Sequence, residues 1–420
     1  MKAPKEPPRS GQPAKYLGLY VSTRELSTTS SILACSWPEG QVLLPGNNPG
    51  GQRDVGCDNR MSSSHKKLNN SRQESRRSSM RVAMYYSNQD VRLEEMRVPK
   101  IGAGELLVRI RASGICGSDL MEWYRIKKAP LVLGHEITGD VIEVGAGVGN
   151  FRVGDRVFSS HHVPCGKCRY CHAGHQSVCE MLRTTHFEPG GFSEFVRVPR
   201  INVDLGTLLL PDEISFDEGS FIEPLACVVR AQRFARLATG QTVLVIGSGI
   251  SGLLHIQLAR ARGAHRIIAT DVSHFRLMAA ARFGAQATIH GAEQIPDRLR
   301  ELNEGRLADL VIVCTAAMPA IQQAIKSVDR GGTLLFFAPT AAGVDVPIPL
   351  FEFWRDEISI VTSYAGSGDD LVESLELIRT RQVRVAEMIT HRLPLSQAGL
   401  GFQLTASGSE SIKVILDPLI

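Results

Sequence analysis

Four cysteines lie within fifteen residues in the segment "CGKCRYCHAGHQSVC". Their spacing is C-x2-C-x2-C-x7-C, over Cys165, Cys168, Cys171 and Cys179. Four thiolates on a tight loop suit a tetrahedral Zn²⁺ whose positions are all filled by protein. A metal with no open position cannot activate a substrate, so this spacing predicts a structural zinc. An iron–sulfur cluster is the first alternative, although in bacterial ferredoxins the fourth cysteine follows after three residues and precedes Pro. A disulfide pair is the second alternative.

A metal that does chemistry needs an open position, and a second set of residues could provide one. Cys116 stands in "GICGSD", while His135 and Glu136 are adjacent in "LVLGHEITGD". Mixed sulfur, nitrogen and oxygen ligands that leave one place for water or substrate are typical of catalytic zinc. Taken singly, a buried cysteine or histidine is more often structural. Together, Cys116, His135 and Glu136 are candidate ligands of a catalytic metal.

A third motif points to a dinucleotide. "VLVIGSGISG" places Gly247, Gly249 and Gly252 in a GxGxxG between an apolar strand pattern and a helical pattern. Such glycines permit a tight turn, the approach of a pyrophosphate and close helix packing. Asp271 ends the next strand pattern, nineteen residues beyond Gly252. A carboxylate there accepts hydrogen bonds from ribose hydroxyls and repels a 2′-phosphate, which favours NAD over NADP. His274 and Arg276, just beyond, leave NADP as the alternative.

The elements that must position these residues change character along the chain. Between Met80 and about residue 222, short alternating segments broken by Gly and Pro predict mostly β structure. From about residue 224, apolar strands alternate with helical segments, which predicts a parallel sheet covered on both faces. A further helix and a closing strand, "SIKVILDP", follow residue 365. The fold class is therefore α/β.

Composition indicates a globular protein with an atypical start. The chain has 420 residues, 43% of them hydrophobic, and nine cysteines. We expect reduced thiols, a cytoplasmic location and no membrane span, because no apolar run approaches eighteen residues. Residues 1–80 carry twelve Lys and Arg against six Asp and Glu. The segment 1–79 is rich in Ser, Arg, Asn, Gly and Pro, which predicts a disordered basic extension. A targeting peptide or nucleic-acid arm is the alternative for it.

From these motifs, residues 80–420 resemble the zinc-dependent medium-chain dehydrogenase/reductase family, nearest its polyol and threonine dehydrogenase branch. The motifs, in order, are "GICGSD", "GHEITGDVIEVGAGV", "VGDRV", the four-cysteine segment, "GGFSEFVRVP", "FIEPLACVVRA", "VLVIGSGISG" and "HRLPL". The resemblance implies a GroES-like, β-rich catalytic domain, residues 80–223 completed by 365–420. It also implies a doubly wound parallel Rossmann domain, residues 224–364, with the active site in the cleft.

The resemblance further assigns roles to single residues. Cys116, His135 and Glu136 match the catalytic zinc ligands, and Glu223 in "IEPL" matches a carboxylate that binds or exchanges at that zinc. Glu223 could also be a helix-start carboxylate. Ser118 matches the hydroxyl that contacts the substrate alcohol and begins proton removal, although a serine there could simply form a turn. The matched cofactor residues, besides the glycines, are Ser251, Asp271, Arg276, Ala338 and Tyr364.

One departure from the family concerns the proton relay. Many relatives carry a histidine five residues after the cysteine ligand, where this chain has Met121. A thioether cannot accept a proton at neutral pH. His162, three residues before Cys165, stands where threonine dehydrogenases carry an active-site histidine, so we expect it to complete the relay. The alternative is a structural histidine.

These observations predict reversible oxidation of a secondary alcohol to a ketone with NAD⁺, using two zinc ions per subunit. The substrate would be a polyol, a sugar or a hydroxy amino acid such as threonine. Arg125, Lys127 and Lys128 in "MEWYRIKKAP" could meet a phosphate or carboxylate, or face solvent. We expect a homo-dimer or homo-tetramer and no specific nucleic-acid or membrane partner. The alternative function is a catalytically inactive dinucleotide-binding sensor or structural protein of the same fold.

Overall fold

The structure is a computed structural model that describes residues 79–420. The predicted basic extension lies outside the described residues, apart from its last residue, Ser79. The strands are β1 (Ser79–Ser87), β2 (Asp90–Arg97), β3 (Leu106–Gly114), β4 (Leu131–Val132), β5 (Glu136–Val144), β6 (Arg156–Ser160), β7 (Phe195–Val198), β8 (Thr207–Leu209), β9 (Thr242–Ile246), β10 (Arg266–Asp271), β11 (Ala287–His290), β12 (Ala308–Val313), β13 (Val328–Phe336), β14 (Ser359–Thr362), β15 (Ile389–Pro394) and β16 (Lys413–Asp417).

The α-helices are α1 (Glu122–Arg125), α2 (Arg169–His172), α3 (Glu180–Thr184), α4 (Arg200–Gly206), α5 (Phe216–Gly219), α6 (Ile222–Phe234), α7 (Ile250–Ala261), α8 (His274–Phe283), α9 (Ile295–Leu302), α10 (Met318–Ile325), α11 (Leu350–Arg355), α12 (Asp369–Arg379) and α13 (Ala398–Ser407). Short 3₁₀ helices lie at Gly117–Leu120, Ile126–Lys128, Gln176–Val178, Ala386–Met388 and Leu395–Gln397. Within residues 79–420, none of the helices combines the length and apolar character that crossing a bilayer would require.

Two β-sheets form the first part of the chain together with its C-terminal strands. A three-stranded sheet has the order β2-β1-β4, and a larger sheet has the order β15-β16-β3-β5-β6-β8, with β7 paired to β3. β16 joins this sheet antiparallel to β3. The pattern of short strands broken by Gly and Pro therefore predicted this part correctly, including the closing strand.

The middle of the chain forms a six-stranded sheet in the order β11-β10-β9-β12-β13-β14, with all pairs parallel. In order of appearance this is 3-2-1-4-5-6, the doubly wound arrangement. One apolar core cluster lies on each face of the sheet, because its central strands are buried on both sides. The predicted α/β fold class is confirmed. Helix α6 spans the predicted boundary between residues 223 and 224.

The candidate site residues lie at or near the ends of strands. The register pairs Gly114 of β3 with Glu136 of β5, and Glu136 with Ser160 of β6. Lys413 begins β16 beside the same edge. In the parallel sheet, β9 ends at Ile246 just before the glycine turn, and β10 ends at Asp271. Ligands of such sheets bind at the carboxyl ends of the strands, where the strand order reverses.

Candidate active site and metal centres

Cys116 lies in a tight turn directly after β3. It caps the 3₁₀ helix Gly117–Leu120, and its backbone N–H donates to Asp119 Oδ2 at 3.0 Å. The Ser118 hydroxyl donates to Cys116 Sγ at 3.4 Å, and the Ser118 N–H reaches the same sulfur at 3.5 Å. These two contacts fix the position of the Cys116 sulfur at the end of the strand.

Asp119 fixes the ring of His135. His135 Nδ1 lies 3.3 Å from Asp119 Oδ1, and the carboxylate is fully buried. A carboxylate on one ring nitrogen sets the tautomer, so the other nitrogen, Nε2, is left for a metal. Gly134 precedes His135 with φ +94°, and a Cβ there would come within 2.6 Å of Phe192. The glycine in "GHE" is therefore required by both conformation and space.

Glu136 is buried beside a lysine from the far end of the chain. Lys413 Nζ donates to Glu136 Oε2 and to the carbonyl of Ile115, the latter at 3.2 Å. Both charged side chains are 1% exposed. A Cβ on Gly114 would overlap the Glu136 carboxylate and the end of Lys413. Gly114 therefore makes room for a buried ion pair.

The side chains of Cys116, His135 and Glu136 offer ligand atoms that all lie within 4.8 Å of one another. This set contains one sulfur, one nitrogen and one oxygen donor, as catalytic zinc sites with an open position do. The residues present therefore fit a zinc ion, and sequence reasoning identified all three.

Glu223 lies close to that group without joining it. It is the second residue of α6 and is 8% exposed. Burial raises the pKa of Glu223 to about 7, with Glu136 adding to the rise and His135 and Lys413 opposing it. The Cys227 thiol lies 3.9 Å from Glu223 Oε1, one helical turn further on. The structure thus places Glu223 next to the three ligand candidates.

The four-cysteine segment forms a separate compact group. Cys165, Cys168, Cys171 and Cys179 have sulfur atoms within 4.8 Å of one another, and Cys168 and Cys171 sulfurs are 3.5 Å apart. Although burial opposes it, backbone N–H groups, that of Cys165 first, lower the pKa of the Cys179 thiol to about 6. Four converging thiols, with none paired as a disulfide, fit a closed tetrahedral zinc site.

The histidine of the expected relay lies in an aromatic stack. The His162 ring packs on that of His161, with centroids 3.6 Å apart, and His161 lies 4.7 Å from the His135 ring. Tyr364 is 6.0 Å from His162 on the other side. Burial lowers the pKa of His162 to about 3. Its imidazole is therefore neutral and a weak base.

The glycine turn has the geometry of a dinucleotide loop. Gly247 has φ +93° and Gly249 caps α7. A Cβ on Gly252 would overlap the carbonyl of Gly247, so α7 can begin this close to β9 only with glycine there. This agrees with the roles expected of the first and third glycines.

Asp271 ends β10 facing that turn. Its Oδ2 accepts from the Ser248 N–H at 2.9 Å, and its Oδ1 accepts from the Ser273 N–H at 2.9 Å. Arg276 Nη1 lies 3.9 Å from Oδ2. The carboxylate is 8% exposed. An acid and a base therefore stand side by side where a ribose or its phosphate would bind.

One cavity of about 850 Å³ connects the two sets of residues. Cys116, Ser118 and Glu136 line one part of it. Its other part is lined by the glycine turn with Ser251, Asp271, Arg276 and Ala338. Sequence reasoning missed Asp119 and Lys413. Asp119 follows Ser118 directly and could have been suspected as a helix cap, whereas Lys413 carries no local signal.

Comparisons with known proteins identify the class. Residues 102–205 match the alcohol dehydrogenase GroES-like domain, and residues 251–380 match the zinc-binding dehydrogenase family. Sorbitol dehydrogenase of Gallus gallus is 31% identical over 338 residues, covering 78% of this chain and 93% of the relative. L-threonine 3-dehydrogenase of Sinorhizobium medicae is 29% identical, covering 77% and 94%.

A solved structure agrees with these matches. A zinc-binding dehydrogenase from Sinorhizobium meliloti, bound to NADP, has a TM-score of 0.72 and 27% identity, covering 81% of this chain and all of that one. The fold and site define a zinc-type dehydrogenase that acts on alcohols, as the sequence predicted. The chain belongs to the zinc-dependent medium-chain dehydrogenase/reductase family. The comparisons lend no support to the inactive alternative.

Proposed function

We propose that the protein oxidises a secondary alcohol to a ketone, reversibly, with NAD⁺ as the hydride acceptor. The observation that carries this proposal is the single cavity lined both by Cys116, Ser118 and Glu136 and by the glycine turn with Asp271. Hydride transfer requires the carbinol carbon and the nicotinamide to be held in near contact, which two separate cavities would not allow.

We assign the catalytic zinc to Cys116, His135 and Glu136, with Glu223 as the carboxylate that binds or exchanges beside them. The structural zinc belongs to the four cysteines. Lys413 offsets the charge of Glu136, so the thiolate of Cys116 is the main negative charge that faces the metal. A bound zinc supplies the positive charge that lowers the pKa of the substrate hydroxyl.

The protein's own groups would position and deprotonate the alcohol. The Ser118 hydroxyl, now donating to Cys116, would turn to accept the proton of the substrate hydroxyl while it passes its own proton onward. Asp119 holds His135 in place throughout. We assign the onward relay to His162, which is neutral at rest and lies beside Tyr364. A histidine with a pKa of about 3 can hold the proton only briefly, so the relay would end quickly in solvent.

We assign NAD as the preferred cofactor, bound through Gly247, Gly249, Ser251 and Gly252 with Ala338 beside them. The support is the buried Asp271 carboxylate, which would accept from the ribose hydroxyls and repel a 2′-phosphate. Arg276 and the NADP-bound relative keep NADP as the alternative. We keep polyols, sugars and threonine as the candidate substrates, which the relatives' names, sorbitol dehydrogenase, L-threonine 3-dehydrogenase and D-xylulose reductase, support.

We propose that two copies assemble through the open edge of the parallel sheet. β14 is an edge strand, and helix α11 beside it exposes Leu350, Phe351 and Trp354 by 64 to 75%. Exposed apolar side chains next to the free edge of a sheet favour association.

The domain bounds 80–223, 224–364 and 365–420 stay a proposal. So does a cytoplasmic location, which the unpaired thiols within residues 79–420 support.

The test is a panel of secondary alcohols scored by NADH absorbance, with NAD⁺ and NADP⁺ in parallel and with zinc content measured. His135→Ala should lose zinc and fall at least about 10³-fold in turnover, since the metal supplies most of the charge stabilisation. His265→Ala, a matched control at an exposed position, should retain both. Full turnover by Cys116→Ser with zinc still bound would overturn the assignment.

A further inference from the structure

A second cavity of about 220 Å³ reaches the same metal centre from the catalytic part of the chain. Its lining includes His135 and Asp119, the pair behind the candidate metal, and also Arg125, Lys128 and His186. It shares no lining residue with the larger cavity. A group bound here would therefore lie beside His135, one of the candidate zinc ligands, and away from the glycine turn.

The two cations of this cavity are held in place by one aromatic ring. Lys128 Nζ donates to the Tyr124 hydroxyl at 3.0 Å and lies 4.5 Å from the centre of its ring. The Arg125 guanidinium lies 5.1 Å from the same ring, and its Nε donates to the Ser118 carbonyl at 3.1 Å. Each side chain therefore has a contact that favours its position at the cavity before any ligand binds.

Neither cation has an acidic partner. Within residues 79–420, no carboxylate oxygen lies within 4.0 Å of Arg125 or Lys128, and Arg125 Nη1 and Nη2 make no hydrogen bond. The one carboxylate in the lining is Asp119, which already binds Cys116 N and His135. Partial burial, and then the charges of Lys128 and Arg125, lower the pKa of His186. The cavity therefore carries two cations against one carboxylate, which leaves an excess of positive charge.

We propose that this cavity binds a terminal anionic group of the alcohol substrate, a phosphate or a carboxylate, with Lys128 and Arg125 as its specificity determinants. This inference rests on the proposed function and narrows its substrate class. Guanidinium and ammonium groups are the natural partners of both anions. A hydroxy amino acid also carries a carboxylate, but its ammonium group would then lie beside Arg125 and Lys128 and be repelled, so the cavity disfavours it relative to phosphorylated polyols or hydroxy acids.

The first test compares four substrates at saturating NAD⁺: a hexitol, its 6-phosphate, the corresponding hexonate and L-threonine. We expect kcat/KM for the phosphate or the hexonate to exceed that of the hexitol at least about tenfold, with threonine lowest. The anion with the higher kcat/KM shows whether the cavity prefers a phosphate or a carboxylate. A hexitol or threonine that matches both anions contradicts the inference.

The second test uses neighbouring lysines as a matched pair. Lys127 and Lys128 are neighbours on the same 3₁₀ helix and both are exposed, but only Lys128 lines the cavity. Lys128→Ala should raise KM for the anionic substrate about 3- to 10-fold while the kcat/KM of the hexitol changes less than about twofold. Lys127→Ala should change neither. Equal effects of the two variants would show only a general charge effect and overturn the assignment.

A binding measurement separates this inference from the proposed function. With NAD⁺ saturating, inorganic phosphate should raise the thermal midpoint of the wild type and of Lys127→Ala, and should raise that of Lys128→Ala less. If no alcohol reduces NAD⁺ with zinc present, the proposed function fails, yet this shift still tests the cavity. If the hexitol is oxidised but phosphate gives no shift and no anion is preferred, the inference alone fails.

Discussion

Replacing Asp271 by alanine should reverse the cofactor preference. Each hydrogen bond from a ribose hydroxyl to a carboxylate contributes about 1.5–3 kcal/mol. Because the two hydroxyls share one carboxylate, we take the loss for the pair as the same 1.5–3 kcal/mol, which is about a 10- to 150-fold rise in KM for NAD⁺. For NADP⁺ the sign is opposite, since a 2′-phosphate of charge about −1.5 at about 5 Å is repelled by at least about 1 kcal/mol even at the dielectric constant of water. The variant frees Arg276 Nη1, 3.9 Å away, to bind that phosphate.

The assay is the ratio of kcat/KM for NAD⁺ to that for NADP⁺, which should fall at least about 50-fold in Asp271→Ala. Loss of stability must be separated from this effect, because Asp271 also accepts from two backbone N–H groups. Asp309→Ala is the matched control: Asp309 Oδ2 accepts from the Thr242 N–H at 2.7 Å, outside the cofactor cavity. Both variants should lower the free energy of unfolding, but only Asp271→Ala should change the ratio. A wild type that prefers NADP⁺, or an unchanged ratio in the variant, would refute the reasoning.

Three further predictions concern stability and metal content. Arg230→Met should lower the free energy of unfolding by about 3–5 kcal/mol in urea titrations, because it leaves the buried Asp370 with Arg233, which is half-exposed, as its one cationic partner among the described residues; restoration by a second change, Asp370→Asn, is the check. Cys171→Ser should remove one of the two proposed zinc ions, as measured by elemental analysis. The same replacement at a cysteine outside the two proposed ligand sets should leave the zinc content unchanged. Burial lowers the pKa of His255 to about 3, so the unfolded state binds its proton first as the pH falls below about 6.5. Between pH 6 and 5 the wild type should therefore lose about 1.2 kcal/mol more stability than His255→Leu, and equal losses in denaturant titrations would contradict this.

Much of the site could be predicted because its signals are local. The ligand candidates Cys116, His135 and Glu136 each stand beside a glycine or in a short motif, and the four cysteines have a spacing that few other sites share. The alternation of strands and helices after residue 224 likewise predicted a parallel sheet covered on both faces, since each crossover between parallel strands needs a helix. These predictions needed no knowledge of distant contacts.

Other parts depend on contacts that no local pattern reveals. Lys413 is 277 residues from Glu136, and only the pairing of β16 with β3 brings them together. The sequence also does not show whether Arg125 and Lys128 face solvent or bind an anion. That depends on which carboxylates the fold places near them. Likewise, the weak basicity of His162 follows from burial and the stacked ring of His161.

The buried Glu136–Lys413 pair ties the chain's last strand to the charge of its active centre. Removing two charges from water is costly, so such a pair is weak evidence for stability by itself. Here it has an electrostatic consequence, because Lys413 offsets the charge of a carboxylate that lies within 4.8 Å of the ligand atoms of Cys116 and His135. Cys116, His135 and Glu136 could then hold a divalent metal whose charge is less fully offset, and such a metal would supply the Lewis acidity that activation of an alcohol requires. Gly114 is what permits this arrangement, since any side chain there would occupy the space of the pair. A glycine in the "ASGICGSD" motif and a lysine near the end of the chain therefore serve the same function.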